Sequence, residues 1–258
     1  MRGFLLLALL AVCVAVQARE KPVSVLFVGN SQVYVGNLPA VFDALAGAAG
    51  TPVRSDMIVE GGATLKQRVE DGTVARALEA KHYDFVVLQE RGGDLVCAFT
   101  PESCAESAVA IAELGRLARA HGATPLLLGT YQSLPRASDA LLDGEAAAAT
   151  NAGMPHIAVS GRLAKGRTLL PDATWFNADG AHPGHDLILL DAVLLYTQIF
   201  GNPPPAAGFR VDAPMYEPSA HFPPPAPVTP GLHGDGAAAG HDYDARRVAD
   251  VLAVAAAG

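Results

Sequence analysis

Short apolar runs alternate along this chain with stretches in which apolar residues recur every three or four positions. Val23 to Val28 is apolar except for Ser24 and stops at Gly29. Tyr83 to Leu88 (Tyr-Asp-Phe-Val-Val-Leu), Pro125 to Gly129 and the shorter Pro155 to Val159 read the same way, and Thr51 to Ile58 supplies a further strand. Runs of this length, rich in β-branched residues and closed by glycine or polar residues, are strands buried on both faces. Between them the period changes. Leu38, Val41, Phe42 and Leu45 fall at i, i+3, i+4 and i+7, predicting a helix over about 39–49. Further helices are predicted over about 65–80, 105–121 (ended by Gly122), 139–152 and 186–200, the last stopped by Gly201-Asn202-Pro203. Strands and helices alternating at this spacing make an α/β fold with a parallel sheet, right-handed crossovers and helices on both faces.

The pattern fails at the two ends. Arg2, the apolar stretch Phe4 to Val16 and Val16-Gln17-Ala18 form a secretory leader over residues 1–18, too short and wrongly flanked for a membrane span. Leu10-Ala11-Val12-Cys13 resembles a lipoprotein signal, but valine before the cysteine fits that processing poorly. Residues 19–201 then form the domain. Residues 202–258 are an extension in which Pro, Gly and Ala dominate up to about 242, read as extended wrapping or a loose tail. A final helix is predicted over about 244–257.

Charge narrows the partners. The formal charge is −8, becoming −9 when Arg2 leaves with the leader, and no Lys/Arg cluster is present. Nucleic acid is therefore not an expected partner, and since no other stretch is long and apolar enough to cross a membrane, no membrane insertion is expected after leader cleavage. An exported protein lives in the periplasm or outside the cell. There Cys97 and Cys104, seven positions apart, favour a local disulfide over a pair of soft metal ligands. His221, His233 and His241 lack a repeated ligand spacing, and no metal is expected. No Gly-x-Gly-x-x-Gly or phosphate loop follows a strand, so no nucleotide or flavin cofactor is expected either.

Chemistry is suggested at the strand ends. Ser31 follows the first strand by two residues, in the strand-to-helix loop where open α/β sheets hold their reactive groups. Asp179-Gly180-Ala181-His182-Pro183 places a carboxylate and an imidazole three residues apart in a turn. A serine hydroxyl becomes nucleophilic when such a histidine takes its proton and a carboxylate fixes the ring. Acyl transfer also needs donors for the oxyanion, and the backbone N–H of Ser31, the N–H of Gly62 and the amide of Gln89 all fall on strand-end loops. Glu90 is read as a surface charge rather than a substrate contact. Trp175 and Phe176 are read as core packing rather than a sugar-stacking pair.

Gly29-Asn30-Ser31, Gly62 in Gly-Gly-Ala-Thr, the amide after the third strand and Asp179-x-x-His182 resemble the four blocks of the SGNH (GDSL-like) hydrolases over residues 23–201. The resemblance implies a three-layer α/β/α flavodoxin-like sandwich with a five-stranded parallel sheet. It also implies Ser31 as nucleophile, His182 as base, Asp179 as its orienter and Gly62 at the oxyanion. Two blocks depart from the family pattern. Asn30 stands where aspartate is usual, and Val-Leu-Gln-Glu replaces Gly-x-Asn-Asp, so that Gln89 carries the amide on a stem one methylene longer. The expected activity is hydrolysis of carboxylic esters, including O-acetyl groups of carbohydrates. The rival expectation is a carbohydrate-binding protein of the cell envelope that keeps the fold with little turnover.

Overall fold

The computed structural model describes residues 21–132, 135–222, 226–229 and 238–257; the leader expected over residues 1–18 and His233 lie outside them. Five strands, β1 (Val23–Gly29), β2 (Val53–Val59), β3 (Phe85–Leu88), β4 (Thr124–Leu128) and β5 (His156–Ile157), form one sheet in the order β2-β1-β3-β4-β5. All four pairings are parallel. The α/β/α sandwich with a five-stranded parallel sheet is the architecture expected.

An unbroken apolar run still alternates once it is in a sheet, because successive side chains point to opposite faces. Val25 and Phe27 of β1 enter one core, and Leu26 and Val28 the other. The first core is covered by α2 (Leu38–Ala48), α7 (Ser160–Leu169), α8 (His185–Phe200) and α9 (Ala245–Ala256). The second lies under α3 (Leu65–Glu70), α4 (Thr73–Ala80), α5 (Ser103–Ala120) and α6 (Pro135–Ala152). Most of α8 is buried, which explains its nearly continuous hydrophobicity.

Three elements differ from the pattern reading. The helix expected over 65–80 is two helices, parted at Asp71 and Gly72, where the backbone turns left-handed (φ 65°). The alanine-rich helix begins at residue 135 rather than 139. Helix α7 carries so few periodic apolar residues that its pattern is nearly silent, and only Ser160, Leu163 and Gly166 of it are buried.

Residues beyond 201 are packed into the first core. Strands β6 (Phe209–Met215) and β7 (Ala238–Tyr243) form an antiparallel hairpin. Val211, Met215, Tyr216, Val228, Tyr243 and the Val248/Val251/Val254 stripe of α9 are all buried. Val228 pairs by backbone with Met57, covering the free edge of β2, and Thr229 donates to Asp56 at 2.9 Å. Pro and Gly made this stretch look incapable of burial. Its scattered valines and tyrosines bury nonetheless, because they meet an apolar face that already exists. Among the described residues no helix is long and apolar enough to cross a membrane.

Candidate active site

The carboxyl end of β1 is crowded. A Cβ on Gly29 would come within 2.6 Å of Val33 Cγ2 and 3.1 Å of the Gln89 carbonyl, so only glycine lets the chain turn here. Asn30 then caps a single helical turn, α1 (Ser31–Tyr34), its Oδ1 accepting the Gln32 N–H at 3.1 Å. Asparagine does this as well as aspartate would, and without an added negative charge behind Ser31. The Asn30 amide nitrogen is buried with no partner among the described residues.

The loop after β3 is buried too. Gln89 is 1 % exposed, and its Nε2 donates to the Gly129 carbonyl at 3.1 Å. Glu90 corrects the sequence reading: it is not a surface charge. It is 2 % exposed, and its Oε1 accepts the N–H of Leu65 at 3.1 Å and of Arg91 at 2.8 Å. It thus caps the first turn of α3. Burial pushes its carboxyl up to about 7, against the pull of those donors and the Ser107 hydroxyl. Arg91, beside it, grips Asp94 with two hydrogen bonds of 2.8 and 2.9 Å and reaches the Gly62 carbonyl at 3.4 Å. Gly62 itself is exposed with φ 72°, and a Cβ there would meet open space. The loops after β2 and β3 are therefore tied together at the residue whose N–H is a candidate oxyanion donor.

Asp179 and His182 lie on the turn leading to α8. Asp179 Oδ2 is 2.6 Å from His182 Nδ1, while Asp179 Oδ1 accepts the N–H groups of Ala181 (2.9 Å) and His182 (3.0 Å). The Ala181 and His182 backbone donors, then the imidazole, hold the Asp179 carboxyl down at about 2 although its side chain is 39 % exposed. A carboxylate on Nδ1 selects the tautomer that leaves Nε2 with its lone pair free to accept a proton.

Two sets of contacts relate this turn to the Ser31 loop. Gln32, next to Ser31, and Gly180 and Ala181, next to His182, line one cleft of about 200 Å³. Tyr131, in the loop after β4, lines it as well, and its hydroxyl donates to the Ala181 carbonyl at 3.2 Å. On the other flank the segment after β6 bridges the two loops. The Tyr216 carbonyl accepts the Gly36 N–H at 2.9 Å, and Glu217 accepts the Asn177 amide at 3.2 Å. Neither Tyr131 nor Glu217 stood out in the sequence. Tyr131, two residues past the Gly129 that ends a predicted strand, carried the same positional signal as Ser31, whereas nothing local marked Glu217. Trp175 is 4 % exposed and packs in the core, as expected, whereas Phe176 is half-buried and forms a wall of the cleft. Cys97 and Cys104 are joined as a disulfide, as the spacing favoured.

The same architecture recurs in solved structures. A protein from Slackia heliotrinireducens, provisionally classed with the SGNH hydrolases, is 24 % identical with a TM-score of 0.55, covering 69 % of this chain and 100 % of that one. Axe2, an acetylxylan esterase from Geobacillus stearothermophilus, is 14 % identical with a TM-score of 0.52, over 68 % of this chain and 93 % of its own. The fold is that of the SGNH hydrolases. The psychrotrophic esterase EstA from a Pseudoalteromonas species superimposes similarly, at 13 % identity and a TM-score of 0.52, over 69 % of this chain and 97 % of that one. No protein-family model matches the sequence, and a search of curated proteins returned no match.

Proposed function

We propose that this SGNH-fold chain is an exported serine hydrolase, periplasmic or secreted, that cleaves carboxylic esters, including O-acetyl groups of carbohydrates. Ser31 attacks the ester carbonyl while His182 Nε2 takes its proton, and Asp179 holds the ring and balances the imidazolium. The acyl group passes to Ser31, the alcohol leaves with that proton, and a water activated by His182 releases the acid. The N–H groups of Ser31 and Gly62 receive the oxyanion. Gln89 offers the second hydrogen of its amide, the first being held by Gly129. The observation that carries this reading is the 2.6 Å Asp179–His182 pair on a turn sharing a cleft with the residue next to Ser31. That esterases are among the proteins of the same fold supports it.

One observation favours a second reading. Gln89 is buried against Gly129, so a weakly active protein that binds envelope carbohydrate would keep the fold and lose the third donor. A serine-directed organophosphonate separates the two. Rapid stoichiometric labelling at Ser31, absent in Ser31→Ala, is the expected result. An unlabelled Ser31, or a Ser31→Ala protein that turns over p-nitrophenyl acetate as fast as the wild type, sinks the hydrolase reading.

A further inference from the structure

The loop closed by the disulfide has no part in the chemistry just described, yet it lines the cleft. Phe99 lies between Cys97 and Cys104 and is 55 % exposed, one of few large apolar side chains left in solvent among the described residues. Three features hold its ring in place. The Arg91 guanidinium stacks on it at 3.7 Å from the centroid. A Cβ on Gly93 would lie only 2.8 Å from Phe99 Cε2, so the ring edge rests on bare backbone. The disulfide shortens the loop that carries it, which restricts the conformations open to the chain. Arg91 is itself clamped on Asp94, so the anchor does not swing.

The rest of the cleft wall suits a particular kind of guest. Phe176 and Tyr131 pack together at 5.6 Å between ring centroids, making a second aromatic surface. Gln32 and Gln132 supply amides, and Gly92, Gly93 and Gly180 leave backbone within reach. No charged side chain lines it among the described residues. Aromatic faces for C–H surfaces and neutral amides for hydroxyls fit an uncharged, ring-shaped polyol better than an acyl chain or an ionised group.

We infer that Phe99, held out by the Cys97–Cys104 loop and the Arg91 stack, is the residue that selects a sugar ring as the alcohol side of the ester. This rests on the reading of Ser31 and His182 as an ester-cleaving pair. Phe99 acts on the leaving group and takes no part in bond making, so its effect falls on KM. The disulfide is the positioning element behind it.

Two acetates of primary alcohols test this, 6-O-acetylglucose with a ring and ethyl acetate without one, both followed by acid release. In Phe99→Ala the ratio of kcat/KM for the sugar ester over ethyl acetate falls about tenfold, through KM, as expected for loss of one aromatic contact. Phe99→Trp keeps the ratio, and the Cys97→Ser/Cys104→Ser double variant lowers it as Phe99→Ala does. Val109→Ala, at an exposed site on α5, leaves it unmoved. A ratio unchanged in Phe99→Ala, with turnover intact, overturns the inference and leaves the hydrolase reading standing. An unchanged ratio in a folded double variant overturns the role of the disulfide. Wild-type protein that cleaves neither ester overturns both readings together.

Discussion

The two halves of the candidate site are built in opposite ways. Around Ser31, Asn30, Gln89 and Glu90 are at most 2 % exposed, and their partners come from α1, α3 and the loops after β3 and β4. Around His182 the side chains are 27 % and 39 % exposed, and every hydrogen bond that Asp179 accepts comes from the next three residues. One half is a product of the folded sheet. The other is a short turn that makes its own acid–base geometry and is then brought to the sheet by α8. Substitutions in the first half should therefore cost stability as well as activity, and in the second half activity alone.

Ser31→Ala should lower kcat by about 10⁴-fold or more, the scale on which serine hydrolases lose activity without their nucleophile. Asp179→Asn should lower it by about 10⁴-fold with little change in Tm, because its partners are local and solvated. A large drop in Tm for Asp179→Asn would break the comparison. So would a Ser31→Ala protein with full turnover.

Glu90 sharpens the comparison from the buried side. Its carboxyl, held up at about 7, binds a proton in the folded state that it has given up in the unfolded state at the same pH. Stability is then fully present below the ordinary carboxylate range and falls as pH rises toward and through about 7, by at most about 3 kcal/mol. Thermal melts of wild type and Glu90→Gln on either side of that window should show a loss of Tm with rising pH in the wild type that the variant largely lacks. A parallel pH dependence in the two proteins would place the titration elsewhere. Asp179 has the opposite sign. Its contribution is present above the ordinary carboxylate range and is lost only as pH falls toward about 2, so it adds nothing to that window.

The smallest effect concerns Gly62. A Cβ there meets no atom, so the cost of Gly62→Ala is that of a left-handed backbone, about 1 kcal/mol. Since its N–H survives the substitution, kcat should fall less than in Ser31→Ala or Asp179→Asn. Gly62→Asn, better suited to positive φ, should recover part of the Tm. Equal losses for alanine and asparagine would mean that space, not dihedral angle, decides at this position.

Much of this was legible in the chain itself, and for a physical reason. Burial on both faces of a parallel sheet demands continuous apolar runs, so β1, β3 and β4 announced themselves. The Asp179–His182 pair was equally visible because both partners lie in one turn. Even the Cys97–Cys104 bond is local. What stayed hidden depends on distant chain segments meeting. Glu90 looks like any charged residue at a strand end until α3 is laid over it and the Leu65 N–H is shared between its two carboxylate oxygens. Glu217 and Val228 sit in a Pro-rich stretch whose composition argues against fixed packing, yet Val228 is buried and Glu217, still exposed, is tied down by a hydrogen bond. Only an already folded domain offers the β2 edge that pairs with Val228 and the Asn177 amide that holds Glu217. Short-range pattern determines which elements form and which residues can react. Long-range packing decides which carboxylates lose their water, and therefore which groups titrate and which stay ready for chemistry.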